Sequence, residues 1–352
     1  MAIKRNEVKV SLGSYPPILV MGERKVGKTT LMYHLAELEY SLEEMLLISC
    51  GDEKGYLALD GIQYEEARVW NKKEDQNGNR GFVQIVDDIV KNNKELGLKM
   101  VVIDTLDTLI DIGTEDVLKQ HLIEKQSPCK SLNDAFGGFQ RGRDRLVDQI
   151  SKEIDKLDRM GLAVFILAHT KNKDKTDPMS GEKYEMLTNN LRADLYSPIA
   201  DSCQMIVNIA IERTIEEGVQ IGESRQMFFR SNGLIDCGSR FNDMPEKLEL
   251  SAENFMKAFK QGVESSMRKK PTKDELTNKK QNEQEELIKA HEEIIKEVEE
   301  ENLPSKEELL EQIKNKMNDS NKKNVIALVK GFGKTKITDL DASQINEILS
   351  QM

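Results

Sequence analysis

Eight residues near the start of the chain, Gly22-Glu23-Arg24-Lys25-Val26-Gly27-Lys28-Thr29, constrain its fold more than any other feature. They fit the pattern G-x-x-x-x-G-K-[S/T], follow the apolar run Ile18 to Met21 and open a helical stretch, Thr29 to Tyr40. A strand before and a helix after is the setting in which this pattern binds phosphate. The reason is mechanical: glycines let the backbone wrap around the anion, so that successive N–H groups and the positive end of the helix point at it. Lys28 adds a charge at the β- and γ-phosphates, and Thr29 offers a hydroxyl to Mg²⁺. Gly22, Glu23, Arg24, Lys25, Val26, Gly27, Lys28, Thr29 and Thr30 are therefore the expected cradle for ATP with Mg²⁺.

The chain as far as Gly262 supplies a matching frame. Apolar runs recur at Met45 to Ser49, Met100 to Ile103, Leu162 to Ala168, Gln204 to Ile211 and Gln226 to Phe229, separated by amphipathic stretches such as Arg143 to Met160. Strands alternating with helices predict an α/β fold of βαβ units around a mostly parallel sheet. The last two runs lack a long helix between them, which predicts an antiparallel hairpin at the sheet edge.

Ligands of such sheets meet the carboxyl ends of the strands, and three polar positions fall there. Met100 to Ile103 ends on Asp104, the expected second Mg²⁺-positioning group; an aspartate here also suits a helix cap, and Asp107 is the weaker candidate. Met45 to Ser49 runs into Cys50-Gly51-Asp52-Glu53-Lys54-Gly55, where Glu53, ahead of Asp52, is the candidate to orient or deprotonate the attacking water. His169 closes the run Leu162 to Ala168. A residue that senses the γ-phosphate and a satisfied core histidine both fit it, and a loop is expected from Asn172 to Leu191.

A formal net charge of −11 gives the whole chain no attraction to nucleic acid, so any such contact has to use local basic loops. Cys50, Cys129, Cys203 and Cys237 are far apart and form no zinc or disulfide pattern, so reduced, mostly buried thiols are expected. No run approaches the roughly 18 apolar residues of a membrane span, and a cytoplasmic protein without a membrane partner is expected. After Gly262 the composition turns charged, with Phe332 the only aromatic between Val263 and Met352. The expected division is a core at 1–262, a charged helical linker at 263–303 with a helix from Glu285 to Glu301, and a small α-helical C-terminal module of two or three helices at 304–352.

Gly22 to Thr30, Asp52-Glu53, Ile103-Asp104-Thr105, Phe136-Gly137-Gly138-Phe139, Leu167-Ala168-His169, Ala200-Asp201 and Gly238-Ser239-Arg240-Phe241 followed by Pro245 occur in that order. Over residues 15–260 the chain resembles the RecA-like P-loop ATPases, and within them the phage single-strand annealing or recombination ATPases. The resemblance implies DNA-stimulated ATP hydrolysis, binding of single-stranded DNA, assembly into rings or filaments, and strand pairing in a host bacterial cytoplasm. It further implies a basic residue lent by a neighbouring subunit, for which Arg230 and Arg240 are candidates; an arginine capping the sheet edge is the alternative. DNA-contacting loops are implied at Phe136, Phe139, Arg141, Arg143 and Arg145, and at Lys171, Lys173, Lys175, Lys183 and Arg192, although the aromatics also suit a core and the lysines a solvated loop. The charged tail lies outside the resemblance and is the expected site for a single-strand-binding protein or another replication factor. Two other readings share the motif. One is a hexameric helicase or its loader, less expected with 21 residues before Gly22; the other is a nucleotide-switched regulator of the partition type, in which DNA is secondary.

Overall fold

The apolar runs become strands, because aliphatic side chains buried on both faces suit the middle of a parallel sheet. The computed structural model describes residues 7–72, 80–216, 219–268, 306–317, 322–334 and 336–350, with 272, 275, 278, 279, 282, 283, 294, 295 and 298 between them. Its strands are β1 (Ile18–Gly22), β2 (Met45–Cys50), β3 (Tyr64–Ala67), β4 (Met100–Asp104), β5 (Ala163–Thr176), β6 (Lys183–Asn189), β7 (Met205–Glu216), β8 (Val219–Phe228), β9 (Gly238–Ser239) and β10 (Lys247–Glu249). They lie in the order β10-β8-β7-β1-β5-β4-β2-β3, with β6 beside β5 and β9 beside β7. From β7 to β3 all neighbours are parallel, whereas β8, β9, β10 and β6 pair antiparallel. The α/β fold with a mostly parallel sheet is thus present.

Alternation along the strands sends successive side chains to opposite faces. Ile18 and Val20 of β1, Phe165 and Leu167 of β5 and Val207 and Ile209 of β7 are buried with Leu31, Met32 and Leu35 of α1 (Lys28–Glu39). Phe255, Ala258 and Phe259 join the same core from the helix Ala252–Ser265, near the end of this unit. The intervening residues Leu19, Met21, Val164 and Ile166 are equally buried and face the layer of α2 (Phe82–Leu96), α3 (Leu106–Lys125), α4 (Arg141–Arg159) and α5 (Ala193–Ser202).

Three features depart from the sequence reading. The loop expected at Asn172 to Leu191 is instead a ribbon: β5 continues past the sheet and pairs with β6 from Thr170 opposite Asn189 to Thr176 opposite Lys183. The hairpin of β7 and β8 is not the sheet edge, because the short strand β10 pairs outside it. The helix Ala252–Ser265, numbered α6, runs through the expected boundary at 262, since Val263 is still buried in the core and Gly262 lets the helix lie against Met244 and Phe241.

Between α2 and α4 the Lys156 ammonium sits 2.9 Å from Asp87 and 3.1 Å from Glu153, all three buried. Burial pushes the lysine pKa down, but the two carboxylates more than reverse this and hold it above its usual value. Lys156→Met removes the buried ammonium from between two buried carboxylates and is expected to lower the unfolding free energy by about 3–5 kcal/mol. Urea denaturation reads this directly; an unshifted midpoint would show that the carboxylates relax without penalty.

By contact the chain divides into Met1–His291 and Glu292–Met352. In the second unit α7 (Lys306–Lys316), α8 (Lys322–Gly331) and α9 (Ala342–Ser350) bury Leu309 and Ile313, Val325 and Val329, and Ile345 and Ile348 against one another. The linker helix expected from Glu285 to Glu301 lies largely outside the described residues. Among the described residues no helix is long and apolar enough to cross a membrane.

Candidate functional site

At the carboxyl edge of the parallel strands, β1, β2, β4 and β5 each deliver one part of a cleft of about 510 Å³. It is lined by Arg24, Lys25, Gly27, Lys28, Thr29 and Thr30 from the loop after β1, by Glu53, Lys54 and Gly55 after β2, by Asp104 of β4 and by His169 of β5. The loop after β1 depends on two glycines. A Cβ at Gly22 would meet the Ile209 carbonyl oxygen at 2.9 Å, and Gly27, which caps α1, has φ of 108°, a left-handed conformation that favours glycine. Val26 is buried beneath the loop and Glu23 is exposed outside it, so these two shape the cradle without lining it.

Lys28 is buried, and its ammonium donates to the carbonyls of Gly22 at 2.9 Å and Glu23 at 3.0 Å. Thr29 Oγ1 donates to Asp104 Oδ2 at 2.9 Å. Two hard oxygen donors at the mouth of a phosphate cradle fit Mg²⁺, which takes one or two protein oxygens and fills its octahedron from phosphate and water. Thr29 and Asp104 are the residues that would hold it. Electrostatics point the same way: burial pushes the Lys28 pKa down and the Asp104 pKa up, with the Thr29 hydrogen bond pulling Asp104 partly back. Each group is desolvated without a full counter-charge, and a polyphosphate beside Lys28 and a cation beside Asp104 would relieve both.

Glu53 lines the cleft half-buried, its own carbonyl gripped by the Ser49 hydroxyl at 2.6 Å; Asp52 is exposed and outside the lining. Asp107 faces His169, accepting its backbone N–H at 2.9 Å with the ring nitrogen at 3.4 Å. Burial raises the Asp107 pKa, yet its contacts with His169 outweigh this and hold the carboxyl below its usual range. The histidine is thereby anchored on one side by Asp107 and borders the cleft on the other. Gly55 escaped the sequence reading: a Cβ there would lie 3.2 Å from Thr29 Oγ1 and 3.8 Å from Asp104 Oδ2, so its bareness keeps the metal corner open. A lone glycine in a polar turn was the only available signal.

Arg230 and Arg240 do not border the cleft. Both are exposed, and Arg240 donates to the Asp201 carbonyl at 2.7 Å near β9, which pairs with the amino end of β7.

The two basic regions differ in what they leave accessible. Residues 136 to 140 all have positive φ, three of them non-glycine, and this left-handed turn holds Phe139 91% exposed. Such strain costs on the order of 1 kcal/mol or more per residue and gathers at functional sites. Phe136 instead packs half-buried on His121 with Arg145 over its ring at 4.4 Å. Arg143 is drawn into an ion pair with Asp194, while Arg141, which donates to the Phe136 carbonyl at 3.3 Å, stays exposed. On the ribbon, Lys171, Lys173 and Lys175 stand opposite Thr188, Met186 and Tyr184, so all six share one face. Lys173 is the most enclosed of the three lysines, its ammonium on the Leu191 carbonyl at 2.6 Å. Asn172, Asp174 and Glu185 occupy the other face.

A family model described as an AAA domain matches residues 14–241, well over half of the chain and every strand from β1 to β9. No curated protein matches.

Proposed function

The chain belongs to the AAA domain family of P-loop ATPases, and from that premise we propose that it uses ATP with Mg²⁺ to control its hold on single-stranded DNA. One observation carries the reading. β5 borders the nucleotide cleft at His169 and continues without a break into Lys171, Lys173 and Lys175 of the ribbon, so a single strand spans both sites. Lysines with Tyr184 on one face suit a single strand, whose backbone follows cations while its bases stack on rings. Phe139, held out to solvent, offers a second stacking platform.

The finer reading, strand annealing or recombination in a phage setting by a ring or filament of subunits, rests on the ordered residues from Phe136 to Phe241. In that reading Arg230 or Arg240, both away from the cleft of their own subunit, serves a neighbour's. The second unit, Glu292–Met352, is the proposed contact for a single-strand-binding protein or another replication factor.

Fluorescence anisotropy with a labelled oligonucleotide tests the DNA reading. Replacing both Lys171 and Lys175 by alanine is expected to flatten the log–log salt dependence by about 1.4, at roughly 0.7 per lost phosphate contact on a single strand. Phe139→Ala is expected to weaken binding by about 1–3 kcal/mol, the size of one base stack. Unchanged affinity and slope would remove the ribbon from the interface. A wild-type protein that ignores DNA with ATP bound would favour a nucleotide-switched regulator, and directional unwinding would favour a helicase.

A further inference from the structure

Alternation along β8 sends Met227 and Arg225 to the same face of the sheet, the one covered by α1 and α6. Met227 is buried there with Ile209. Arg225, paired with Ile211 and two residues nearer the carboxyl edge, emerges where α1 begins. Its carbonyl accepts the Leu250 N–H at 2.8 Å, which fixes it beside the segment entering α6. A Cβ built on Gly27 would lie 3.3 Å from Leu250 Cδ2 and 3.6 Å from Arg225 Nη1. The guanidinium therefore rests against the glycine that caps α1.

Among the described residues this guanidinium has no hydrogen-bond or ion-pair partner. The carboxylates nearest along the hairpin are engaged elsewhere, Glu212 with Lys247 and Glu223 with Gln220. Arg225 is exposed at the carboxyl edge beside the phosphate cradle, and with no hydrogen-bonded or ion-paired carboxylate among the described residues its guanidinium is free to meet an anion.

We propose that Arg225 is a phosphate-binding residue, supplied in cis by β8, whose guanidinium pairs with the phosphate chain of a nucleoside diphosphate or triphosphate at the Gly27 end of the cradle. The proposal rests on reading the cleft as a nucleotide site. Lys28 approaches the phosphates from the buried side of the loop; Arg225 does not line the cleft itself but lies against Gly27, which does, and would reach the phosphates around the outer side of the loop. A planar fork with several N–H donors suits this second position, because it can span two phosphate oxygens where an ammonium meets one.

Calorimetric titration of the full chain with ADP and with inorganic pyrophosphate tests the assignment. Arg225→Ala is expected to weaken both ligands about tenfold, the size of one charge-assisted hydrogen bond. Arg225→Lys, which keeps the charge but loses the fork, should recover part of the loss and serves as the control for folding. Wild-type affinity for both ligands in Arg225→Ala would overturn the proposal. So would a loss for ADP with pyrophosphate untouched, since the side chain would then contact the nucleoside. If the wild-type protein binds neither ligand, the nucleotide reading itself fails, an outcome distinct from a silent Arg225 variant.

Discussion

Lys28→Ala loses ATP: affinity should fall by roughly a hundredfold or more, as expected when one member of a desolvated charge pair is removed. The basis is position rather than the motif alone. Lys28 is buried at the start of α1, and its ammonium already points at the carbonyls that rim the cradle, 2.9 and 3.0 Å away. Burial depresses its pKa, so the charged form lacks solvent and is the group with most to gain from an incoming phosphate. Equilibrium binding of a fluorescent ATP analogue reads the effect. An affinity equal to that of the wild type would mean that the phosphates sit elsewhere.

Glu53→Gln separates binding from turnover. Glu53 borders the cleft without joining the Thr29–Asp104 hydrogen bond, so the amide should leave ATP affinity within a few-fold. Steady-state hydrolysis should drop by about 10²–10⁴-fold, the usual contribution of a positioned general base. Phosphate release under saturating ATP measures it, and turnover at the wild-type rate would strip Glu53 of the catalytic role. Asp52, exposed on the same turn though outside the lining, would then be the next carboxylate to replace.

What the sequence made legible follows from how locally each part is encoded. The β1–loop–α1 unit and the carboxylate ending β4 need only a contiguous stretch: an apolar run, a glycine-bearing loop and a helix for one, an apolar run ending in aspartate for the other. Both stand where that reasoning put them, with Thr29 and Asp104 joined across β5 by a hydrogen bond of 2.9 Å. The ribbon was missed because Lys171-Asn172-Lys173-Asp174-Lys175 contains no apolar residue, and a strand paired outside the sheet has no core face to reveal its period of two. Arg225 was missed for a different reason. Its meaning depends on Gly27, nearly two hundred positions earlier, and no spacing rule in one sequence joins a hairpin residue to a phosphate loop. The boundary near Gly262 was read from composition, which registers where aromatics stop but not that Val263 still packs beneath them.

The most direct test of the nucleotide site is the affinity of the purified chain for ATP with Mg²⁺ and with EDTA, measured by calorimetry in the same buffer. Binding at one site per chain that weakens sharply when the metal is removed is the result expected of a cradle whose cation corner is Thr29 and Asp104. No binding, or binding indifferent to EDTA, would contradict it.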